Sequence, residues 1–255
     1  MIYFTYFAVF ACSALICAIL IWTKTLYLTA REGDTNAVQA AHAAPTPRVG
    51  GVGIGAGLLL SIFLVPDSLS STYLVFVASL APVFAAGLYE DLRSGVSPSM
   101  RLLAAALSSV LAIVLLGAWV SHVGVIGVDW LFGFVPIAVI FTVFATTGVC
   151  HAFNLLDGLN GLSAGTSVVT AIGLAAIAHL SGQPQMVSFC FILIAALMGF
   201  LVFNYPWGKI FLGDAGAYTM GHALAWVSVI LMFRVADLSP WAVVLIFFWP
   251  LADTF

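Results

Sequence analysis

Residues 186–204 read MVSFCFILIAALMGFLVFN, a stretch without a single charged side chain. A helix needs about 20 mostly apolar residues to cross the hydrocarbon core of a bilayer, so this stretch predicts a membrane-spanning helix. Backbone groups in lipid must be hydrogen-bonded within the protein, and the alternating pattern of a transmembrane strand is absent. The stretch therefore favours an all-α membrane fold.

The composition of the whole chain agrees with this prediction. Of its 255 residues, 63% are hydrophobic and only 7% are charged, and the formal net charge is -3. An ordinary soluble domain carries about 25% charged residues, and a nucleic-acid-binding protein needs a basic surface. The composition excludes a soluble globular enzyme, a disordered chain and a nucleic-acid binder. No nucleic-acid partner is expected.

Apolar stretches recur along the whole chain. Nine of them predict a polytopic membrane helical bundle of about nine transmembrane helices, at approximately residues 2–22, 50–65, 72–89, 101–120, 132–152, 162–180, 186–204, 215–233 and 241–255. We find no internal repeat, low-complexity tract or linker. Residues 1–255 are therefore predicted to form a single integral membrane domain.

The few basic residues predict the orientation. Cytoplasmic loops of membrane proteins are enriched in Lys and Arg. With the N-terminus outside, only Arg234 falls on the external side. The cytoplasmic side then receives the other six basic residues, which are Lys24, Arg31, Arg48, Arg93, Arg101 and Lys209. This distribution predicts that the N-terminus lies outside and that the end of the ninth predicted span lies in the cytoplasm.

Two adjacent acids, Glu90 and Asp91, end the third predicted span in the segment GLYEDLR (87–93). A charge at the end of an apolar helix is costly unless something pairs with it, and adjacent carboxylates repel each other. One interpretation is a solvated helix end with Arg93 as neighbour. The other is a site for a cation, a phosphate or a proton.

A second polar segment, HAFNLLDGLNGL (151–162), places Asn154, Asp157 and Asn160 three residues apart. One helical turn would bring them to one face, and Gly158 and Gly161 allow the backbone to approach a ligand closely. Asn and Asp beside glycine also form ordinary turns. Three polar groups in so apolar a stretch favour a site.

A third segment, NYPWGKIFLGDAG (204–216), places Asp214 at the start of the next span, where it could be a helix N-cap. The alternative is a metal ligand, because Mg²⁺ prefers a few carboxylates together with substrate phosphates. Asp91, Asp157 and Asp214 emerge from different helices on one membrane face. In the first inner loop, His42 and Arg48 stand near paired glycines, and Arg48 could bind a phosphate.

Together these segments resemble the polyprenyl-phosphate N-acetylhexosamine-1-phosphate transferase family, glycosyltransferase family 4. The resemblance extends from about Asp34 to Asp253. It is most specific at NLLDGLNGL (154–162) and FLGDAG (211–216), while PTPRVGG (45–51) indicates the O-antigen-initiating branch. It implies that a polyprenyl phosphate, such as undecaprenyl phosphate, attacks the sugar-bearing phosphorus of a UDP-N-acetylhexosamine. UMP is released in a first membrane step of cell-envelope polysaccharide synthesis.

The resemblance also implies roles for individual residues. Asp214 matches the magnesium ligand. Asp157 lies near the metal in the family pattern, and we expect it to serve both as a catalytic acid and as a metal ligand, with manganese as an alternative ion. Glu90 and Asp91 match the acidic pair, one member of which deprotonates or orients the lipid phosphate. Substrate-binding positions are matched by Arg48 at the edge of the site, Asn154 near the diphosphate, Asn160 and Asn204 near the nucleotide, and Phe211 on the uracil ring. The resemblance further allows a homodimer.

The sequence departs from the family pattern at several positions. Glu90 replaces the usual Asp, and Asn160 replaces a second Asp found in many members. Members of the family continue beyond the helix containing Asp253 into a cytoplasmic loop with a His-x-His-His motif, whereas this sequence ends at Phe255. We therefore expect a fragment whose C-terminal part is missing.

Two alternatives to a transferase remain for this sequence, a transporter and a non-catalytic relative. Acids within membrane helices also mark ion and proton transporters, but those usually place them near the bilayer midplane, on broken helices of paired halves. Here the acids lie at one membrane face and no halves repeat. A non-catalytic relative that lacks the His loop is the second alternative.

Overall fold

The computed structural model describes residues 2–24, 46–93 and 95–254, and their regular structure is helical, which confirms the all-α prediction. The α-helices of these ranges are α1 (Ile2–Trp22), α2 (Gly50–Ile62), α3 (Asp67–Ser79), α4 (Ala81–Arg93), α5 (Pro98–Leu116), α6 (Val135–Leu155), α7 (Leu162–Leu180), α8 (Pro184–Asn204), α9 (Gly213–Arg234), α10 (Pro240–Ile246) and α11 (Phe248–Ala252). A 3₁₀ turn, Asp129–Gly133, precedes α6.

The described residues form a helical membrane bundle, but the count of nine spans is not supported. Within these ranges, six helices are long and apolar enough to cross a membrane. A seventh crossing results if α3 and α4, which are bent by 42° at their junction, count as one span. Helix α2 is apolar but has only 13 residues. The segment predicted as the ninth span forms the short helices α10 and α11.

Two prolines explain where the predicted spans are interrupted. Inside a helix, a proline lacks an N–H and its ring clashes with the carbonyl group four residues earlier. For Pro82 that carbonyl belongs to Ala78, and α3 ends one residue later at Ser79. For Pro250 it belongs to Ile246, the residue at which α10 ends. Hydropathy averaged over a window does not detect these breaks.

Hydrogen bonds between helices show which helix ends meet. The Thr5 hydroxyl near the start of α1 donates to the Leu64 carbonyl beyond the end of α2, over 2.8 Å, so these helices are antiparallel. The opposite end of the bundle, here called the site end, brings together the first turns of α2, α5, α7 and α9 and the last turns of α4, α6 and α8.

Helix α9 is the central helix of the bundle. Nearly all of its side chains are buried, and it packs against α2, α4, α5, α6, α7 and α8. A helix that is apolar all round is expected in such a position. Its first turn is approached closely by α4, because a Cβ added to Gly87 would lie 2.6 Å from the backbone nitrogen of Ala215. This close contact fixes the position of the residues around Asp214.

Candidate active site

The loop before α9 is held by backbone hydrogen bonds to the residues that lead into α2. Phe211 donates its amide to the Pro47 carbonyl (2.8 Å), and the Gly50 and Gly51 amides donate to the carbonyls of Phe211 (2.9 Å) and Leu212 (2.8 Å). The motifs PTPRVGG and FLGDAG, far apart in sequence, are therefore adjacent. A Cβ on Gly213, whose φ is +74°, would collide with the Arg48 carbonyl oxygen, so Arg48 lies beside the start of α9.

Asp91 caps helix α9 from a neighbouring helix. Its Oδ1 accepts a hydrogen bond from the Asp214 amide (2.8 Å) and its Oδ2 accepts one from the Ala215 amide (2.9 Å). The first amides of a helix have no partner within that helix, and a carboxylate at this end also interacts favourably with the helix dipole. Asp91 is only 7% exposed. The interpretation of Asp91 as part of a solvated helix end is therefore wrong.

Asp214 lies in the first turn of α9, and two side chains bind its carboxylate. The Arg101 Nη1 lies 2.8 Å from Oδ2 in a salt bridge, and the Asn154 Nδ2 donates to Oδ1 over 3.1 Å. Asp214 is the second residue of α9, and the N-cap position is occupied by Leu212, whose side chain makes no capping hydrogen bond. The alternative interpretation of Asp214 as a simple N-cap is therefore wrong, because Asp91 has that role.

Asp157 lies in the turn after α6, beyond the helix that carries Asn154. Burial raises the pKa of its carboxyl group to about 7, with opposing effects of Arg48, which lowers this pKa, and of Asp214, which raises it. The backbone amide of Gly213 also lowers the pKa. Asp157 therefore lies next to the Gly213 backbone, within electrostatic range of Arg48 and Asp214.

Asn204 connects two loops of the site. Its Oδ1 accepts a hydrogen bond from the Gly161 amide (2.6 Å), and its Nδ2 donates to the Ile210 carbonyl (2.8 Å). Its side chain is 4% exposed. Asn160 packs against the second of these loops, because a Cβ on Gly208 would lie 2.5 Å from its Nδ2. Asn160 thus contacts the 204–212 loop, whereas Asn154 contacts Asp214. The prediction that Asn154, Asp157 and Asn160 share one helical face is therefore wrong, because α6 ends at Leu155.

Glu90 and Phe211 occupy more open positions. The Glu90 Oε2 accepts a hydrogen bond from the Val96 amide (2.7 Å) in the connection to α5, and its side chain is partly exposed. Phe211 is also partly exposed, and its backbone joins the two motifs described above. His42 and Asp34 lie outside the described residues. The site end therefore brings together all the residues assigned to the site, with Glu90 and Asp91 on the same helix.

The donors around Asp214 suit a hard divalent cation. Among the described residues, no group of three or more His, Cys, Asp or Glu side chains has metal-binding geometry. Mg²⁺ usually keeps several waters and takes only one or two carboxylates together with substrate phosphates. Asp214 and Asp157, with the side-chain oxygen of Asn154 nearby, provide such an oxygen-only set. The residues present therefore fit a Mg²⁺ site that a phosphorylated substrate completes.

Arg101 is the residue of this site that reasoning from the sequence missed. In the sequence analysis above, Arg101 contributes only a positive charge to the predicted orientation. The available signal was its position in the first turn of a span, three residues after Pro98, where a long side chain points back over the helix start. Only the packing of α5 against α9 shows that it reaches Asp214.

Comparison with known proteins finds a matching family and several relatives. The model of glycosyl transferase family 4 matches residues 73–232. An undecaprenyl-phosphate alpha-N-acetylglucosaminyl 1-phosphate transferase of Escherichia coli O157:H7 is 28% identical over 190 residues, which are 73% of this chain and 51% of that protein. A phospho-N-acetylmuramoyl-pentapeptide-transferase of Staphylococcus saprophyticus is 42% identical over 93 residues, 36% of this chain and 29% of that protein.

The chain spans about half the length of the first of these relatives. A corresponding transferase of Yersinia pestis is 26% identical over 190 residues, 73% of this chain and 52% of that protein. The matched family region contains Glu90, Asp91, Asn154, Asp157 and Asp214. The chain belongs to glycosyl transferase family 4.

Proposed function

We propose that the protein transfers N-acetylhexosamine 1-phosphate from a UDP-sugar to a polyprenyl phosphate such as undecaprenyl phosphate. An oxygen of the lipid phosphate attacks the sugar-bearing phosphorus, the diphosphate bond to the nucleotide breaks, and UMP leaves. The product is a polyprenyl-diphospho-sugar, which begins a cell-envelope polysaccharide. The names of relatives from Escherichia coli and Yersinia pestis support both the lipid acceptor and N-acetylglucosamine as the sugar.

One observation carries this proposal: acidic and basic groups from separate helices meet at one end of a membrane bundle, around the first turn of α9. A lipid phosphate is held at the membrane surface, and a nucleotide sugar arrives from water, so a shared site must lie at a bundle end. A transporter would place its ionisable groups near mid-depth. The position of Asp214 at the start of a 22-residue helix disfavours transport.

Two anionic phosphates must approach each other, which requires positive charge at the site. Asp214 and Asp157 would hold Mg²⁺, or Mn²⁺ in its place, and the ion would neutralise charge on the diphosphate. Arg48 adds a fixed positive charge at the edge of the site. Asn154 orients Asp214 through the 3.1 Å hydrogen bond, and Asn160, Asn204 and Phe211 shape the side that receives the nucleotide.

The two acids of α4 are assigned different parts in the reaction. Asp91 uses both carboxylate oxygens to hold the start of α9. Glu90 is more open, which favours it as the acid that orients or deprotonates the lipid phosphate. In this proposal Glu90 contacts the lipid phosphate, and Asp91 fixes the backbone that carries Asp214.

We further propose that the site faces the cytoplasm, with the N-terminus outside an inner membrane. The excess of Lys and Arg in the loops of one side supports this orientation. The structure contributes the finding that Thr5, near the start of α1, lies at the end of the bundle opposite to the site. A homodimer stays a prediction.

The proposal is tested with membranes that contain the protein. UMP formation from UDP-N-acetylglucosamine should require both polyprenyl phosphate and Mg²⁺. Asp67 is the first residue of α3 and lies at the end of the bundle opposite to the site. Asp67→Asn is therefore a matched control and should retain activity. UMP release that does not depend on the lipid would contradict the proposed transfer.

A further inference from the structure

Arg101 makes a contact that the proposed reaction does not explain. It lies in the first turn of α5, whose start is fixed by Ser97, which accepts a hydrogen bond from the Met100 amide (3.3 Å). From there its guanidinium reaches α9 and binds the Asp214 Oδ2 at 2.8 Å. The side chains of Arg101 and Asp214 are 23% and 16% exposed. Their ion pair is thus partly buried.

This ion pair occupies an oxygen that a metal would use. The other oxygen of Asp214 accepts the hydrogen bond from Asn154, so both oxygens have a partner. A divalent cation on Asp214 would have to displace Arg101 from Oδ2 or share that oxygen with it. Sharing is unfavourable, because two cations that bind the same carboxylate oxygen lie close together and repel each other. The guanidinium and the metal therefore compete.

The guanidinium also retains unused hydrogen-bonding capacity. Its Nε is buried and has no hydrogen-bond partner. Arginine binds phosphates best through two parallel N–H groups. Once released from Asp214, Nη1 together with its neighbour Nη2 would provide two parallel donors for phosphate oxygens. Tyr218, one turn further along α9, contacts the same guanidinium and helps to hold it at the site.

We propose that Arg101 is an exchangeable counter-ion of Asp214. Without a divalent cation it neutralises and orients the carboxylate. When the cation binds Asp214, Arg101 leaves Oδ2 and binds the diphosphate of the nucleotide sugar. This inference rests on the proposed function, since it assumes that Asp214 binds the metal and that the substrate is a nucleoside diphosphate derivative.

The test measures Mn²⁺ binding by electron paramagnetic resonance on the purified protein in detergent micelles, without substrate. Arg101→Gln should bind Mn²⁺ several-fold more tightly than the wild type, because the competing cation is gone. In the presence of Mn²⁺, the same variant should bind UDP about tenfold more weakly, as expected for a lost charge-assisted hydrogen bond. Lys209→Gln removes an equal charge at the site end and should change neither affinity.

Mn²⁺ affinity that stays unchanged or falls in Arg101→Gln would overturn the inference while leaving the proposed function intact. Mn²⁺ affinity that is unchanged in Asp214→Asn would overturn both, because Asp214 would then not bind the metal. If Arg101→Gln does not fold in micelles, Arg101→Lys provides the test. Lysine keeps the charge but lacks the paired donors. Mn²⁺ affinity near the wild-type value together with weakened UDP binding would support the inference. Unchanged UDP binding would refute it.

Discussion

The Asp91 carboxylate accepts a hydrogen bond of 2.8 Å from the backbone amide of Asp214. Asp91, on α4, therefore holds in place the residue of α9 that is proposed to bind the metal. The neighbouring amide of Ala215 donates to the second oxygen of the same carboxylate. The close approach of Gly87 to Ala215 makes this geometry feasible. The acidic pair at the end of α4 therefore contains one acid that fixes the backbone and one, Glu90, that is open to a substrate.

The first prediction separates these two acids. Asp91→Ala should lower the free energy of unfolding by about 1–3 kcal/mol, because it leaves buried amides of Asp214 and Ala215 without an acceptor. Glu90→Gln keeps a side-chain oxygen for the Val96 amide and should lower the rate of transfer without a comparable loss of stability. Thermal unfolding in detergent and initial rates measure both effects. Equal destabilisation by the two substitutions would refute the division of roles.

The second prediction concerns the metal. Asp214→Asn should abolish transfer at every Mg²⁺ concentration, since an amide is a far weaker ligand than a carboxylate for a hard cation. Asp67→Asn, at the opposite end of the bundle, should leave transfer and its Mg²⁺ dependence unchanged. Rates measured over a range of Mg²⁺ concentrations provide the comparison. Preserved activity in Asp214→Asn would remove this residue from the metal site.

The third prediction concerns pH. Burial raises the pKa of Asp157 to about 7 in the metal-free protein. Below pH 7 the carboxyl group is mostly protonated, and a metal must displace that proton. Mn²⁺ affinity should therefore fall as the pH is lowered below about 7 and level off above it. Asp157→Asn should weaken binding and reduce this dependence. A wild-type affinity that does not change between pH 5.5 and pH 8, limits that lie about one unit or more from that pKa, would contradict the role of Asp157.

The fourth prediction tests the close contact between α4 and α9. Gly87→Ala adds a Cβ that would lie 2.6 Å from the Ala215 backbone nitrogen, so the helices must separate, at a cost of about 1–3 kcal/mol. Gly148→Ala, in α6, has no atom within 4 Å of the added Cβ and should be neutral or slightly stabilising. Thermal unfolding compares the two variants. Equal stability would show that the contact does not constrain the site.

The fifth prediction concerns sidedness. Ile126 and Leu159 are both exposed and lie at opposite ends of the bundle. In a background without native cysteines, Ile126→Cys should react with an impermeant thiol reagent added from outside, and Leu159→Cys should react only after the membrane is permeabilised. The reverse pattern would overturn the proposed orientation.

Much of the helical architecture follows from local sequence, because apolar length alone predicts a helix in lipid. The segments around Gly213 and Asp157 can also be recognised from local sequence, because polar groups beside glycines are unusual in so apolar a chain. The breaks at Leu80 and Phe247 were not predicted, because the effect of a single proline is lost in a hydropathy average.

The missed features of the site depend on tertiary contacts. The roles of Asp91 as a cap, Arg101 as a partner of Asp214 and Asn204 as a connection between loops each involve residues distant in sequence or backbone groups. Backbone groups carry no sequence signature, so a carboxylate that binds them cannot be distinguished from one that binds a substrate. The structure makes that distinction for Asp91.

The central claim is that a sugar phosphate, and not the sugar alone, passes to the lipid. It is tested most directly with UDP-N-acetylglucosamine that carries radioactive phosphorus at its β position. We predict that the label enters the lipid fraction and that unlabelled UMP is released in equal amount. Label that remains with the nucleotide as UDP, or that appears as free phosphate, would contradict the account.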